Sequence, residues 1–475
     1  MDLLNQKDRK DFIQQIKSDE NKNRKAESLK AFEIYNDRLQ KYVKDYLLSQ
    51  YSENTVLEYV IISAINLAKR IANKQANLYK EAPDREFIGL TEQQEDEIEK
   101  LYESSKINTA LFKSNVYYQM QSQSFIKVVP KDGLIDAKVI LPHHLDVIPD
   151  SMNPELPEQY ILNAFDKTNY VQTDGNNQTI AEKDDYKASL EKYLVWTKDA
   201  NFIFNAKGET VGEVLPNPIE QLPFIDVCGG KDFEFFVRCG QPLVDFTIQY
   251  NGALSDLQQL VKMQSFGVAV LKTSKELMPK SLQVGINKVI HLPIDPNQPV
   301  QPEFQFQSAN ADISGALSCI ENLLSNFLSS RGLDPKLVNG KSEASKFNSG
   351  IDRLLSMISD IEASKQDQEV FQEAERKLFE LIKAWSNATI GTDGQFLSFR
   401  IPDDATVNVK FFEPTMIQSE QEKIQALRDK KELGLINQQM MIAEYYGISD
   451  QEAAEKMDEI NSEMMAVVEP NATEA

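Results

Sequence analysis

Apolar residues recur every three to four positions over much of the chain, which is the period of an α-helix. One such stripe predicts a core-facing helix from Val56 to Ala82 that ends before Pro83. The capping-box sequence TEQQ at Thr91 predicts the start of a further helix, and another follows at 109–121. Residues 1–55 are highly charged with a weak helical pattern, so we expect either an assembly arm or a solvated helix there.

The period then changes to two, which is the period of a β-strand with one buried face. Turn signals, TDGNN and KGET, separate the candidate strands, and the proline-bounded run NPIEQLPFIDV closes the series. This pattern predicts one antiparallel meander. Its candidate strands are 124–130, 137–150, 159–165, 192–197 and 201–206.

Helical spacing returns over Pro242–Lys262 and again over Asp312–Arg331. Between these helices, residues 263–309 contain the short strand candidates FGVAVLK, KVIHLPI and EFQFQ and a proline-rich link. Two matched helices that flank a small β module predict a helical hairpin with the module at its tip.

A long helical run is predicted from Ser349 to Trp385, with a bend or a solvated stretch at the polar sequence EASKQDQE. A strand candidate, TVNVKFFEP, follows it. The last quarter is predicted to be helical, with capping boxes at Ser419 and Ser449 and helix ends at Gly434 and Gly447.

Composition narrows the class of protein. The chain has 475 residues, 41% of them hydrophobic, and a formal net charge of -22. This acidic excess argues against a surface that grips nucleic acid through its phosphates, although DNA can still slide past such a surface. The first residues lack the pattern of a secretory signal, the most apolar helix candidate is too short to span a bilayer, and the three cysteines show no CxxC spacing. We therefore expect synthesis in a reducing cytosol, with no disulfide framework, thiolate metal site or membrane anchor.

The stretch LVNGKSEAS contains Gly340-Lys341-Ser342, the end of a phosphate-binding loop motif. The first glycine of that motif would fall at position 335, which is Pro335. Proline offers no N–H to a phosphate, and the segment before it has helical rather than strand spacing. The pattern therefore argues against an NTPase.

Other candidate chemistry is equally weak. His143 and His144 are adjacent in a predicted strand, so their side chains should point to opposite faces, and His291 is the one further histidine. TDGNN lacks the carboxylates of a calcium loop, and the paired acids lie in charged runs typical of solvated faces. No nucleophile with a base partner emerges, which predicts a protein that is not an enzyme and needs no cofactor.

Basic residues recur about every five positions in the loop region of this acidic chain. The residues are Arg331, Lys336, Lys341, Lys346 and Arg353. In a monomer they could simply keep a loop soluble, with nearby acids partly cancelling their charge. If several copies faced one axis, the same residues would form rings of positive charge around a lumen.

The order of these parts resembles the portal (head-to-tail connector) proteins of tailed bacteriophages over residues 56–462. The resemblance is carried by NPIEQLPFIDV, by FGVAVLK between two helices, by SSRGLDPKLV followed by NSGIDRLLSMISDIE, and by the C-terminal GLIN and YYGISDQEAAEKMDEI. It implies an α+β, mainly helical portal fold. The implied parts are an N-terminal helical arm (1–55), a wing (56–240), stem helices (241–262 and 310–331), a clip (263–309), a tunnel loop (332–348), a long wing helix and strand (349–414), a crown (415–465) and a disordered tail (466–475).

The family implies a ring, probably dodecameric, at one capsid vertex of the virion, assembled in the host cytoplasm. The ring would be the channel for double-stranded DNA, without sequence specificity, and the docking site for the large terminase subunit and then for a head-completion or adaptor protein; capsid and scaffold proteins would surround it. The implied tunnel-loop residues are Arg331, Lys336, Lys341, Ser342 and Lys346, and the implied clip residues for terminase docking are Lys272, Lys275, Lys280 and Lys288. Two alternatives remain: another virion or scaffold-associated minor head protein, and a P-loop enzyme of DNA metabolism.

Overall fold

The computed structural model is 52% helical and 23% strand, which confirms the α+β class. It describes residues 2–50, 61–165, 191–231, 233–237, 241–266, 268–272, 303–307, 312–333, 350–390 and 394–411, with short pieces between 424 and 457.

Ten helices and fourteen strands are defined within these ranges. The helices are α1 (Gln6–Ile16), α2 (Asp19–Tyr35), α3 (Leu39–Gln50), α4 (Leu67–Gln75), α5 (Glu92–Ser104), α6 (Ile107–Gln121), α7 (Pro242–Phe266), α8 (Ile313–Ser330), α9 (Gly350–Asn387) and α10 (Gln438–Tyr446). The strands are β1 (Asp84–Ile88), β2 (Gln123–Lys131), β3 (Leu134–Ile140), β4 (Leu145–Pro149), β5 (Pro157–Phe165), β6 (Glu191–Trp196), β7 (Ala200–Asn205), β8 (Thr210–Pro216), β9 (Phe224–Cys228), β10 (Val268–Lys272), β11 (Glu303–Gln307), β12 (Thr389–Ile390), β13 (Gly394–Gln395) and β14 (Thr406–Lys410).

The chain divides into two compact units. The first comprises residues 1–340 and 362–412, and the second comprises 341–361 and 413–475. The first contains the sheets described here: a five-stranded antiparallel sheet in the order β4-β5-β6-β7-β8, a three-stranded sheet in the order β3-β2-β9, and the pairs β1-β14, β10-β11 and β12-β13. In the second unit, the described pieces are helical.

The largest apolar core of the first unit surrounds the C-terminal part of α9. Phe371, Leu378, Phe379 and Ile382 are fully buried there, against residues of α5, α6 and the three-stranded sheet. Glu375 lies in the same stretch of helix with no exposed surface, and it pairs with Arg85 on β1. The long helix predicted from Ser349 to Trp385 is thus present as one continuous element.

Residues 2–50 form three helices that are packed into the fold, so the expectation of a solvated helix was wrong, while a role of this arm in assembly stays a prediction. Four apolar side chains from the chain start and α1 cover the five-stranded sheet: Leu3, Phe12, Ile13 and Ile16. Helices α2 and α3 join a second core with α4, α6, α7 and α8. The weak pattern reflects three short helices separated by breaks, each burying a narrow stripe.

The helix predicted from Val56 to Ala82 was also wrong in its extent. Residues 56–60 of this prediction lie outside the described part of the chain. Residues 61–66 are not helical, and the helix that follows them is Leu67–Gln75. The backbone N–H groups of Ser63 and Ile65 donate to side chains of α7 instead of to helical carbonyls. Asn66 then accepts from the N–H of Lys69 at 3.0 Å, which caps the new helix.

The single predicted meander is two sheets. The candidate strand 137–150 is broken by a 3-10 turn at Pro142–His144, because proline cannot donate to a ladder and the His144 N–H bonds to the Leu141 carbonyl at 2.9 Å. Strand β3 before the turn pairs with β2, and β4 after it opens the five-stranded meander. The closing run NPIEQLPFIDV supplies β9, which also pairs with β2.

Several predicted signals lie outside the described residues: the TDGNN turn, the KVIHLPI strand, and the caps and stops at Ser419, Gly434, Gly447 and Ser449. Others are confirmed. Thr91 and Gln94 form a reciprocal capping box at the start of α5, and KGET forms the turn between β7 and β8. Strand β14 was predicted, but its partner β1 was not.

Candidate functional site

The candidate site is the hairpin formed by α7 and α8 together with the short sheet at its tip. Helix α7 has 25 residues and α8 has 18, so they extend for about 37 Å and 27 Å at ~1.5 Å per residue. Strand β10 follows α7 and pairs antiparallel with β11, from Val268 opposite Gln307 to Lys272 opposite Glu303. The two helices are therefore joined at one end by a two-stranded sheet.

The two helices contact each other in the half of the hairpin that lies nearer the core. Phe246, early in α7, stacks on Phe327, late in α8, with ring centroids 3.9 Å apart and planes 3° from parallel. An early residue of one helix beside a late residue of the other makes the pair antiparallel. The buried side of α8 is the stripe Ile320, Leu324 and Leu328.

Polar side chains of α7 fasten the hairpin to the segment before α4. Asn251 is fully buried; its amide oxygen accepts from the Ile65 N–H at 2.6 Å, and its amide nitrogen donates to the Ile65 carbonyl at 2.8 Å. Ser255 accepts from the Ser63 N–H at 2.9 Å. A Cβ at Gly252 would lie 2.6 Å from the Tyr46 ring, so glycine permits the close approach of α3 and α7.

Burial decreases toward the tip of the hairpin. The last buried side chain described on α7 is Ser255, and three large apolar side chains of the hairpin remain exposed. Two of them lie toward the tip, whereas Leu323 lies between the buried Ile320 and Leu324 on the opposite face of α8. Val261 is 40% exposed, Leu317 is 43% exposed and Leu323 is 53% exposed. These side chains are accessible to a further chain.

Of the four lysines expected in the clip, the structure describes Lys272. It lies at the end of β10, where its ammonium is 3.5 Å from the Glu303 carboxylate across the sheet, and both side chains are 59% exposed. Lys275, Lys280 and Lys288 lie outside the described residues. The exposed pair leaves the Lys272 charge accessible to a partner.

Arg331 closes the other end of α8, immediately before the residues expected to form the tunnel loop. Its guanidinium donates to the Gln75 side-chain oxygen at 3.0 Å and to the Gln119 carbonyl at 3.3 Å. The Gln75 amide donates in return to the Arg331 carbonyl at 3.2 Å. Burial lowers the pKa of Arg331, although the nearby charge of Asp367 opposes the shift.

Asp367 on α9 completes this polar junction, which consists of Gln75, Gln119, Arg331 and Asp367. The Gln119 amide donates to the Asp367 carboxylate. Burial raises the pKa of Asp367 to about 6, and the Gln119 hydrogen bond and the Arg331 charge oppose this shift. The junction joins the end of α8 and the middle of α9 to helices α4 and α6.

The junction changes the interpretation of two sequence signals. Arg331 uses its guanidinium inside the chain, whereas Lys336, Lys341, Ser342 and Lys346 lie outside the described residues. Asp367 belongs to EASKQDQE, which we expected to bend or to be solvated. The helix continues without a break and Lys365, Gln366 and Glu369 are exposed, whereas the Asp367 carboxylate is largely buried. Sequence periodicity missed Gln75, Gln119 and Asp367 because polar side chains that meet only in the tertiary structure leave no spacing signal.

The two adjacent histidines were placed wrongly on opposite faces of a strand. In the 3-10 turn their ring centroids lie 4.1 Å apart, and His143 Nδ1 is 2.9 Å from the Ser28 hydroxyl oxygen. Burial, followed by the charges of His144 and Arg24, lowers the pKa of His143 to about 4. The described part of the chain contains no group of three or more His, Cys, Asp or Glu side chains placed to hold a metal ion.

Comparison with protein-family models and with curated proteins finds no match for the chain. Within the described ranges, no helix combines the length and apolar character needed to cross a membrane.

Proposed function

We propose that the chain is the portal subunit of a tailed bacteriophage. Identical copies would line up as a ring around a channel for double-stranded DNA, with α7 and α8 as the stem. Terminase and later a head-completion protein would dock at the β10–β11 end of the hairpin. In this proposal the subunit hydrolyses nothing.

The observation that carries this proposal is the hairpin itself. Two long antiparallel helices pack through Phe246 and Phe327 and bear a small sheet at their joined end. The hairpin is fastened to the core by Asn251 and Ser255, and it exposes the apolar side chains of Val261, Leu317 and Leu323. Exposed apolar side chains on a long helical hairpin would supply the buried area that packing against an identical neighbour in a ring needs.

The charge of the chain is consistent with a channel. Each phosphate that a protein neutralises adds affinity, so a wall that bound DNA tightly would oppose sliding. A formal net charge of -22 with a few lysines concentrated near one loop would leave DNA free to move. The polar junction around Arg331 would hold the start of that loop in position while its middle contacts DNA.

The alternatives predict different behaviour. A P-loop enzyme would bind ATP, and Pro335 at the place of the first motif glycine argues against it. A minor head protein would remain a monomer or a small oligomer without a central hole. An assembly measurement therefore separates the portal from the minor head protein.

The loop assignment is tested by replacing Lys336, Lys341 and Lys346 together with alanine in a phage that depends on this chain. We expect normal rings and reduced DNA packaging or retention. A matched variant removes three exposed lysines at strand ends and loops of the sheet region, Lys131, Lys198 and Lys207, and should package normally. Loss of ring assembly in the first variant, or equal loss of packaging in both, would refute the loop assignment.

A further inference from the structure

A second exposed apolar surface lies on two loops of the sheet region, away from the hairpin residues discussed above. It consists of Met152, Leu156 and Phe233, which are 92%, 55% and 84% exposed; we call it the Phe233 patch. Met152 and Leu156 belong to the loop between β4 and β5, and Phe233 belongs to the loop after β9. The three side chains therefore leave most of their apolar surface in water.

The two loops are held together by specific contacts. The Phe233 N–H donates to the Glu155 carboxylate at 3.1 Å, and the Lys231 ammonium donates to the Glu155 carbonyl at 2.9 Å. Lys231 is fixed in turn by an ion pair with the buried Asp226. The Asp150 carboxylate accepts from the Met152 N–H at 2.8 Å, which shapes the first loop.

Phe233 also has a positive φ of 59°. For a bulky side chain this left-handed backbone conformation is a true outlier that costs free energy. The strain brings no burial, because the ring is exposed to solvent. A strained backbone that holds an aromatic side chain in solvent is typical of a binding surface.

Acidic residues flank the side chains of the patch along the chain. Asp150, Glu155, Glu158 and Glu234 each lie within two positions of one of its apolar side chains. Two cations lie near these acids in the part of the chain that the structure describes. Lys198 helps to lower the pKa of Asp150, after two backbone hydrogen bonds, and Lys231 is paired with Asp226. The rim therefore favours a cationic partner.

We propose that the Phe233 patch binds an amphipathic helix of another protein, with leucine-type side chains on the apolar face and Lys or Arg beside it. The acidic rim opposes nucleic acid and anionic lipid, since both carry negative charge. It also disfavours a second copy of this chain, whose formal net charge is -22. This inference does not depend on the proposed portal function.

The test uses a fluorescent synthetic peptide of about 18 residues with leucine on one helical face and lysine on the other. We expect the intact chain to bind it, and added salt to weaken binding. The double variant Met152→Ser with Phe233→Ser should raise Kd at least about tenfold, which corresponds to ~1.4 kcal/mol. A matched double variant, Ile88→Ser with Leu134→Ser, removes two exposed apolar side chains from β1 and β3 and should leave Kd unchanged.

Three results would overturn the proposal. The first is equal peptide affinity for the patch variant and the intact chain. The second is equal binding of a control peptide in which serine replaces every leucine, since charge alone would then explain binding. The third is that the patch variant keeps its peptide affinity but loses self-association or loses binding to phosphatidylglycerol vesicles. The occupant would then be a second copy of the chain in the first case and a membrane in the second.

Discussion

Glu375 offers a sharp test of how α9 is held in the core. Its carboxylate is fully buried and receives two hydrogen bonds from Arg85, Nη2 to Oε1 at 2.6 Å and Nε to Oε2 at 3.1 Å. The Arg85 side chain is 9% exposed. Replacing Glu375 with glutamine keeps the shape and removes the charge, which leaves a guanidinium uncompensated in the core.

Removing one partner of a buried ion pair costs ~3–5 kcal/mol of unfolding free energy. We expect Glu375→Gln to lie near the lower limit, about 3 kcal/mol, because the amide oxygen still accepts one hydrogen bond. Replacing both partners with apolar residues, Arg85→Met with Glu375→Leu, should recover most of this loss, since no buried charge then remains.

The matched control lies two residues earlier on the same helix. Glu373 is 53% exposed and reaches Arg376 and Lys377 at 3.5 Å, so Glu373→Gln should cost no more than ~1 kcal/mol. The assay is urea unfolding followed by tryptophan fluorescence, because Trp385 is 2% exposed in the same core. A Glu375→Gln variant within about 1 kcal/mol of the intact chain would refute the reasoning.

Three further predictions concern the hairpin and its base. Asp367→Asn should stabilise the fold at pH 7 by up to about 3 kcal/mol, because it removes the cost of ionising a carboxyl whose pKa burial raises from 3.8 to about 6. This gain in unfolding free energy should disappear as pH falls from 6 to 3.8. A gain that is independent of pH in urea unfolding would contradict the prediction. Asn251→Leu should lower the unfolding free energy by at least ~2 kcal/mol in the same assay, because the Ile65 N–H and carbonyl lose their partner. Asn322→Leu on the exposed side of α8 is the control and should cost little. Equal costs for the two variants would refute the anchoring role of Asn251. Leu323→Glu should dissociate the proposed ring, measured by light scattering, while Leu134→Glu at 40% exposure should not; intact Leu323→Glu rings would exclude this contact.

Much of the helical fold could be predicted from the sequence because long apolar stripes carry a strong periodic signal. The stripes of α7, α8 and α9 predicted these helices to within a few residues, and the β10–β11 module between the first two was also predicted. Thr91 marked the start of α5 because its capping box is a local interaction that needs no tertiary partner.

The errors arose where tertiary contacts decide local structure. The apolar stripe around Ser63 and Ile65 predicts a helix. In the structure, the N–H groups of these two residues donate instead to buried side chains of α7. Pro142 divides one apparent strand between two sheets. The N-terminal helices bury narrow stripes that periodicity alone could not separate from a solvated arm.

The candidate site was predictable in outline and not in its polar chemistry. Helix pairing follows from two matched apolar stripes, so the hairpin could be expected. The junction of Gln75, Gln119, Arg331 and Asp367 brings together residues up to 292 positions apart, from Gln75 to Asp367, and no spacing rule connects them. The regular spacing of basic residues identified Arg331, which we expected to face a lumen. In the structure, its guanidinium donates a hydrogen bond to Gln75 of the same chain.

The most direct test of the portal proposal is negative-stain electron microscopy of the purified protein, combined with its mass in solution. The proposal predicts rings of about twelve subunits with an axial pore wide enough for duplex DNA. Globular particles with the 54.0 kDa mass of one chain, or small oligomers without a hole, would contradict it.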